Sequence, residues 1–361
     1  MTAFRAPGRV NLIGGQVDYH EGWIVSMAID RDVRVAVERR TDDRIFARSR
    51  EFDGTVELPA SGGPDPRAVE PRWGRAIAGV ARVLDELGRE PVGASLSITS
   101  DVPLGAGLSS SAAFSVACAL ALASVADFPL ADADLALAAQ RAEHTATGVP
   151  CGIQDPMASV CGVAGSAIFL DCRTLALETV PIPPSLAVLV VDTGVPRLLE
   201  ATPYAQRRAE SEAVAAALGV PFLRDATFEQ VRDIPRGRHA VTEMQRVREF
   251  ATALRTEDLD ALGPLMLASH ASSRDDMEVS IPELDSLVEI LVAAGAYGAR
   301  LTGAGFGGCV VALVPAPDAS TIAERASAAY RARFGRDATS WAMRASAGAS
   351  ETPSDRDQLS S

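Results

Sequence analysis

Between Ser100 and Val116 the chain reads SDVPLGAGLSSSAAFSV, an extended segment that enters a glycine-serine turn, which in turn enters an apolar helix. No other stretch constrains the fold as tightly. Gly105 and Gly107 lack the Cβ atoms that hold a bulky anion off the backbone, and Ser109, Ser110 and Ser111 add hydroxyls suited to starting a helix. The product is a cradle of amide N–H groups at a helix N-terminus, a place that attracts phosphate through unpaired donors and the positive end of the helix dipole. A turn that merely caps a buried helix fits the same residues, and at this point both readings stand.

The 361 residues include no lysine, so every fixed cation is an arginine. That removes the Gly-Lys-Ser/Thr P-loop, the protein-kinase strand lysine and Schiff-base chemistry. A formal net charge of -13 repels a nucleic-acid backbone and an anionic membrane surface, so neither is expected as a partner. The length exceeds one ordinary core and 47% apolar residues fill two, which predicts two domains. Cys118, Cys151, Cys161, Cys172 and Cys309 are odd in number and lack zinc spacing, which fits a reduced cytoplasm. The N-terminus has no basic-then-apolar signal, and the run from Ala112 to Ala126 is too short to span a bilayer.

Strand patterns cover Ala6 to Gly15, Ile24 to Ile29, Val33 to Glu38, Arg44 to Ser49, Gly54 to Leu58 and Ala94 to Ser100. Helical spacing marks Trp73 to Leu87, Ser111 to Ala126 and Ala131 to Thr147. The VPIPPS stretch at Val180 to Ser185 reads as a seam, after which the chain turns to a strand at Leu186, helices at Tyr204 to Leu218, His239 to His270 and Pro282 to Ala294, and a split βαβ pattern. The expected division is 1–185, 186–349 and a disordered polar tail at 350–361.

Gly303 to Gly308 satisfies G-x-G-x-x-G, but a strand follows where a dinucleotide site needs a helix. A tight inter-strand loop approaching the phosphate site is the better reading. With no lysine to neutralise a triphosphate, a kinase built on the serine loop needs Mg²⁺, for which Glu143 and Ser111 are the candidate ligands. Asp155 sits among small and apolar neighbours, and Arg9 lies inside a buried strand where an unpaired guanidinium is costly, so the two are candidate partners. As a pair they suit proton abstraction from a hydroxyl, although on these residues alone an N-capping aspartate beside a structural arginine is the plainer reading. The four histidines show no spacing to a serine or cysteine nucleophile.

Taken together, APGRVNLIGG-x-x-DY, DVPLGAGLSSSAA, QRAEHTATGVPCGIQDP and LTGAGFGGCV resemble the GHMP small-molecule kinases, and within them the galactokinases. SMAIDRDVRVAV, FLDCRTL, VVDTGV, YAQRRAE, SHASSRDD and VSIPELD extend the resemblance nearly end to end. It implies an α+β, two-domain GHMP kinase fold, with an N-terminal domain like ribosomal protein S5 domain 2 and a ferredoxin-like C-terminal domain. By the same resemblance Asp155 acts as base and Arg9 as its partner, and Ser111 and Glu143 hold Mg²⁺. Gly105, Ala106, Gly107, Leu108, Ser109, Ser110 and Ser111 line the ATP triphosphate, Trp73 lies near the nucleotide, and Gln16, Asp18, Gly152 and Tyr204 lie at the sugar. A monomer or weak homodimer is expected.

Where galactokinases read GEHTDY this chain reads Gly14-Gly15-Gln16-Val17-Asp18-Tyr19, which is similar to the GG-x-x-DY of plant L-arabinokinase. Each buried hydrogen bond to a sugar hydroxyl that is missing costs ~1–3 kcal/mol, enough to change sugar preference. Met277 and Ala76 also replace tyrosines of the family pattern. Three functions follow: a kinase for the anomeric hydroxyl of a galactose-like sugar such as galactose or L-arabinose; a kinase for a modified sugar, heptose or cyclitol; and a sugar and ATP sensor without turnover, which has no need of Asp155 and Glu143.

Overall fold

The computed structural model describes residues 1–63, 65–195 and 203–353. The chain opens with two long strands, β1 (Thr2–Ile13) and β2 (Trp23–Arg39), then β3 (Arg44–Ser49) and β4 (Thr55–Pro59). Next come α1 (Gly74–Glu86), β5 (Ala94–Ser100), α2 (Ser110–Val125), α3 (Asp132–Thr147), α4 (Gln154–Cys161), β6 (Ser166–Asp171) and β7 (Leu177–Pro181). Residues 182–185 lead into β8 (Leu186–Asp192). The second half runs through α5 (Tyr204–Leu218), α6 (Phe228–Val231), α7 (Pro235–Arg255), α8 (Leu259–Asp275), α9 (Pro282–Ala294), β9 (Gly298–Leu301), β10 (Cys309–Pro315), α10 (Ala319–Phe334), β11 (Thr339–Met343) and β12 (Ser350–Thr352).

The first sheet has the order β12-β1-β2-β5-β3-β4, with β6 on β2 and β7 on β6. Sequence patterning predicts two strands within Ile24 to Glu38, and the structure merges them into β2, whose ends serve different neighbours. Trp23 to Ser26 pairs with β6, Val33 to Arg39 pairs with β5, and β1 lies antiparallel along the other edge. Strand β2 is buried along most of its length, and the charged Asp30-Arg31-Asp32 within it is accommodated by pairing. Asp32, for instance, accepts from both Nε (3.0 Å) and Nη2 (2.6 Å) of Arg5.

Helix α2 is apolar nearly all round, as a helix enclosed on every side must be, and it packs on β1, β2, α1, α3 and α4. The main core fills the space between this sheet and α1 to α4 and extends under α7. A second core lies between α9, α10 and a four-stranded antiparallel sheet of order β11-β8-β10-β9. Counted along the chain that order is 4-1-3-2, the ferredoxin-like arrangement.

Two further expectations fail. The helix expected from His239 to His270 breaks at Thr256 to Asp258, where Glu257 takes φ 54° and the Asp258 side chain accepts from Ala261 N (3.2 Å) to start α8. The polar tail expected from 350 begins instead as β12, which pairs Ser350, Glu351 and Thr352 with Arg5, Phe4 and Ala3 of β1. Its approach is fixed by Gly348 N donating to Gly162 O (2.7 Å) and by the Arg5 guanidinium, which donates to Ser346 Oγ (2.9 Å). The strand is held by sheet hydrogen bonds rather than by a buried face, so composition gives no sign of it. Residues 354–361 lie outside the described residues.

Candidate active site

The turn between β5 and α2 takes positive φ at Gly105 (73°), Gly107 (77°) and Ser109 (57°). This bend turns the first amides of α2 toward a cavity of about 240 Å³ between the two halves of the molecule. Gly105, Gly107, Ser109, Ser110 and Ser111 line it. Ala106 and Leu108 do not: both are buried in the core, and they join the site only through backbone, as when Leu108 O accepts from Arg9 N (3.0 Å).

Arg9 and Asp155 both line this cavity and form a bidentate pair, Nε to Oδ1 at 2.7 Å and Nη2 to Oδ2 at 2.8 Å. Arg9 Nη1 also donates to Gly107 O (2.6 Å), which ties the pair to the serine loop. The Ser109 hydroxyl donates to Asp155 Oδ2 as well. Sequence reasoning assigned Ser109 to phosphate and missed this bond, because only the left-handed backbone at Ser109 swings its hydroxyl away from the helix.

Asp18, Gly152, Tyr204 and Gln16 complete the wall. A Cβ on Gly152 would lie 1.5 Å from Asp18 Oδ2, so only a glycine lets the carboxylate sink into this position. Burial, reinforced by the like charge of Asp155, pushes Asp18 up to about 6, while Arg208 and the amides of Tyr19 and Gln154 pull the other way. Gln16 donates to Ala304 O (3.3 Å) and accepts from the Tyr19 hydroxyl (3.1 Å). Gly303 and Ala304 of the glycine loop between β9 and β10 close the cavity from the second sheet.

Beneath the Gly14-Gly15 turn lies a buried polar network that the sequence did not disclose. Arg300 donates from Nη1 to Asn11 Oδ1 (2.7 Å) and from Nε to Ser269 Oγ (3.0 Å), and Ser269 donates to Glu243 Oε1 (2.6 Å). Glu243 Oε1 also accepts from Gly14 N (2.9 Å), and Asn11 Nδ2 donates to Gln154 Oε1 (2.9 Å). Burial alone would raise Glu243, but Arg246 and Arg300 outweigh it and hold the carboxyl down at about 2. A Cβ on Gly15 would lie 2.7 Å from Arg300 Nη2. The one available signal was polar Asn11 inside a strand read as buried.

A second cavity of about 190 Å³ opens on the other side of Ser111, which lines both. Glu143, Ser115, Trp73, Ala76 and three arginines, Arg67, Arg72 and Arg75, surround it. Trp73 stacks on Phe52 with ring centroids 6.1 Å apart and donates from its indole N–H to Asp53 O (3.1 Å). Burial pushes Glu143 up to about 7 against the hydrogen bond from Ser111. Among the described residues no group of three or more His, Cys, Asp or Glu could hold a metal ion, and no helix is long and apolar enough to cross a membrane.

Known proteins resemble this chain over nearly its whole length. The model of the GHMP kinases N terminal domain matches residues 75–163, that of the GHMP kinases C terminal matches 250–332, and the galactokinase galactose-binding signature matches 2–39. The galactokinase of Roseiflexus sp. is 42% identical over 95% of this chain and 91% of its own, and that of Haemophilus influenzae is 37% identical over 95% and 93%. The crystal structure of Lactococcus lactis galactokinase complexed with galactose superposes with a TM-score of 0.92 at 30% identity, covering 97% of this chain and 95% of the other.

Proposed function

This chain belongs to the GHMP kinase family, as an ATP-dependent sugar kinase of the galactokinase type, and on that premise we propose that it phosphorylates the anomeric hydroxyl of galactose or a close analogue with Mg²⁺ as cofactor. The observation that carries the reading is the Arg9–Asp155 pair, hydrogen-bonded to the phosphate-type loop inside the pocket that also contains Asp18, Gly152 and Tyr204. The triphosphate lies along the amides of Gly105 to Ser111, and the acceptor rests against Asp18, Gln16, Gly152 and Tyr204. Asp155 takes the proton of the acceptor hydroxyl as its oxygen bonds to the γ-phosphorus, and the bridging bond to the β-phosphate breaks to release ADP. Arg9 keeps the carboxylate oriented and balances its charge.

Glu143 fits a divalent cation. Its carboxylate is desolvated, which pushes it up to about 7 although the Ser111 hydroxyl, Cys151 Sγ at 3.7 Å and the charge of Arg9 favour the ionised form. Glu143 and Ser111 would hold the ion, with phosphate oxygens and water completing the shell. Bound Mg²⁺ supplies charge neutralisation for the triphosphate in a pocket without lysine. Retention of both groups beside Asp155 supports turnover rather than sensing.

Gly15 favours a second acceptor. Where galactokinases carry a glutamate the pocket has no side chain, so a pentopyranose such as L-arabinose, which lacks the hydroxymethyl arm of galactose, forfeits nothing there. A coupled ADP-release assay across galactose, L-arabinose, cyclitols and their phosphates tests the whole reading. Turnover on galactose or L-arabinose is expected, and turnover confined to a phosphorylated or cyclitol acceptor would refute it.

A further inference from the structure

The phosphate-type loop spends two glycines on left-handed backbone and then places a third left-handed residue, Ser109, at φ 57° and ψ 44°. Glycine adopts that conformation freely, whereas a side chain makes it strained. Ser109 occupies the N-cap position of α2, yet its hydroxyl makes no capping bond. It donates instead to Asp155 Oδ2, the oxygen that also receives Arg9 Nη2 at 2.8 Å. Ordinary N-cap use is thereby given up in favour of the base.

The neighbouring residues point the same way. Gly107 O accepts from Arg9 Nη1 and Leu108 O accepts from Arg9 N, so three consecutive loop residues are bonded to the Arg9–Asp155 pair. Whatever positions this loop also positions the base. Of the three links, the Ser109 hydroxyl is the one made by a side chain, so it can be removed without altering the backbone.

We propose that Ser109 is a positioning residue that couples nucleotide binding to acceptor binding: a triphosphate held by the loop fixes Ser109, and Ser109 fixes Asp155 in the orientation that accepts the sugar hydroxyl. The inference rests on the functional reading above. By linkage the effect is reciprocal, each ligand tightening the other by the same factor.

The test is calorimetric titration of galactose, or of the acceptor selected by the ADP-release screen, with and without a non-hydrolysable ATP analogue and Mg²⁺. In the native enzyme the analogue is expected to tighten acceptor binding by about fivefold or more. In Ser109→Ala and Ser109→Gly that factor falls to within about twofold of unity, each ligand alone binds within about threefold of native, and kcat drops by about tenfold. Ser109→Gly is decisive because it keeps the left-handed backbone while removing the hydroxyl: a purely structural serine predicts altered stability with coupling intact, whereas the proposal predicts loss of coupling. Coupling retained in Ser109→Gly, or absent from the native enzyme, overturns the proposal. Failure of the acceptor to bind the native enzyme at all overturns the functional reading instead.

Discussion

The two cavities that meet at Ser111 are built on opposite plans. On the acceptor side the polar groups are already satisfied by one another: Asp155 accepts from Arg9 and Ser109, Gln16 bonds both Ala304 and Tyr19, and the Asn11–Arg300–Ser269–Glu243 network braces the turn below. Around the second cavity Glu143 accepts from the Ser111 hydroxyl and from a weak thiol donor, and the buried Ser115 hydroxyl has no partner among the described residues. Buried polar groups are costly when unpaired. The contrast teaches that the wall around Asp155 is held by bonds between protein groups, the serine loop among them, while the wall around Glu143 leaves polar groups for the proposed nucleotide and cation to meet.

Variants that attack each side separately sharpen that contrast. Asp155→Asn keeps the shape of the acceptor wall but removes the proton acceptor, so kcat is expected to fall by about 10³-fold while ATP affinity, read by calorimetry, stays within a few-fold. Comparable turnover by this variant would exclude Asp155 as the base. Glu143→Gln strikes the other side: kcat/KM for Mg-ATP falls by about 10²-fold, with acceptor affinity nearly unchanged. Equal damage to both ligands would erase the distinction between the cavities.

Asp18 gives a pH test confined to the acceptor side. Its pKa of about 6 means that the carboxylate is ionised above that pH and protonated below it. Acceptor KM is therefore expected to rise as pH falls through about 6, and Asp18→Asn, at the cost of about tenfold or more in KM, removes that inflection. Because the folded pKa exceeds the unfolded value, the native state binds the proton more tightly, and Asp18 contributes a loss of stability as pH rises from its unfolded pKa to about 6. Thermal melts should show Asp18→Asn more stable than native at pH 8, with the gap closing toward pH 4.

The smallest effect is expected at the altered turn. Gly15→Glu with Gln16→His is expected to shift the kcat/KM ratio toward galactose over L-arabinose by about tenfold. The new Cβ must displace Arg300 Nη2, which is pinned at its other nitrogens by Asn11 and Ser269, so a melting temperature a few degrees lower accompanies the gain. An unchanged ratio would remove Gly15 from the account of specificity.

Local pattern carried far in this chain. A helix was read at Pro282 to Ala294, and the bounds of α9 coincide with it. Tyr204 to Leu218, closed by Gly219, coincides likewise with α5. The serine loop, Arg9, Asp155, Ser111 and Glu143 were each visible as residues of the right type before any coordinates. The break at Thr256 to Asp258 was overlooked because the apolar spacing on either side continues in phase, and β12 because a three-residue edge strand has no buried face to pattern.

What the sequence determined by itself is the set of residue types on offer: a lysine-free chain, a glycine-serine turn at a helix start, and carboxylates at Glu143 and Asp155 beside small and apolar residues. Those are local properties of residue type and spacing. Only the tertiary structure decided which oxygens receive which donors, as when Ser109 turns from phosphate to Asp155, Arg300 fills the space under Gly15, and Glu243 reaches Gly14 from 229 residues away. The physical reason is that these bonds join β1, the serine loop, α4, α7, α8 and β9, segments far apart along the chain, and a periodicity read within one segment is silent about the partner that another segment brings.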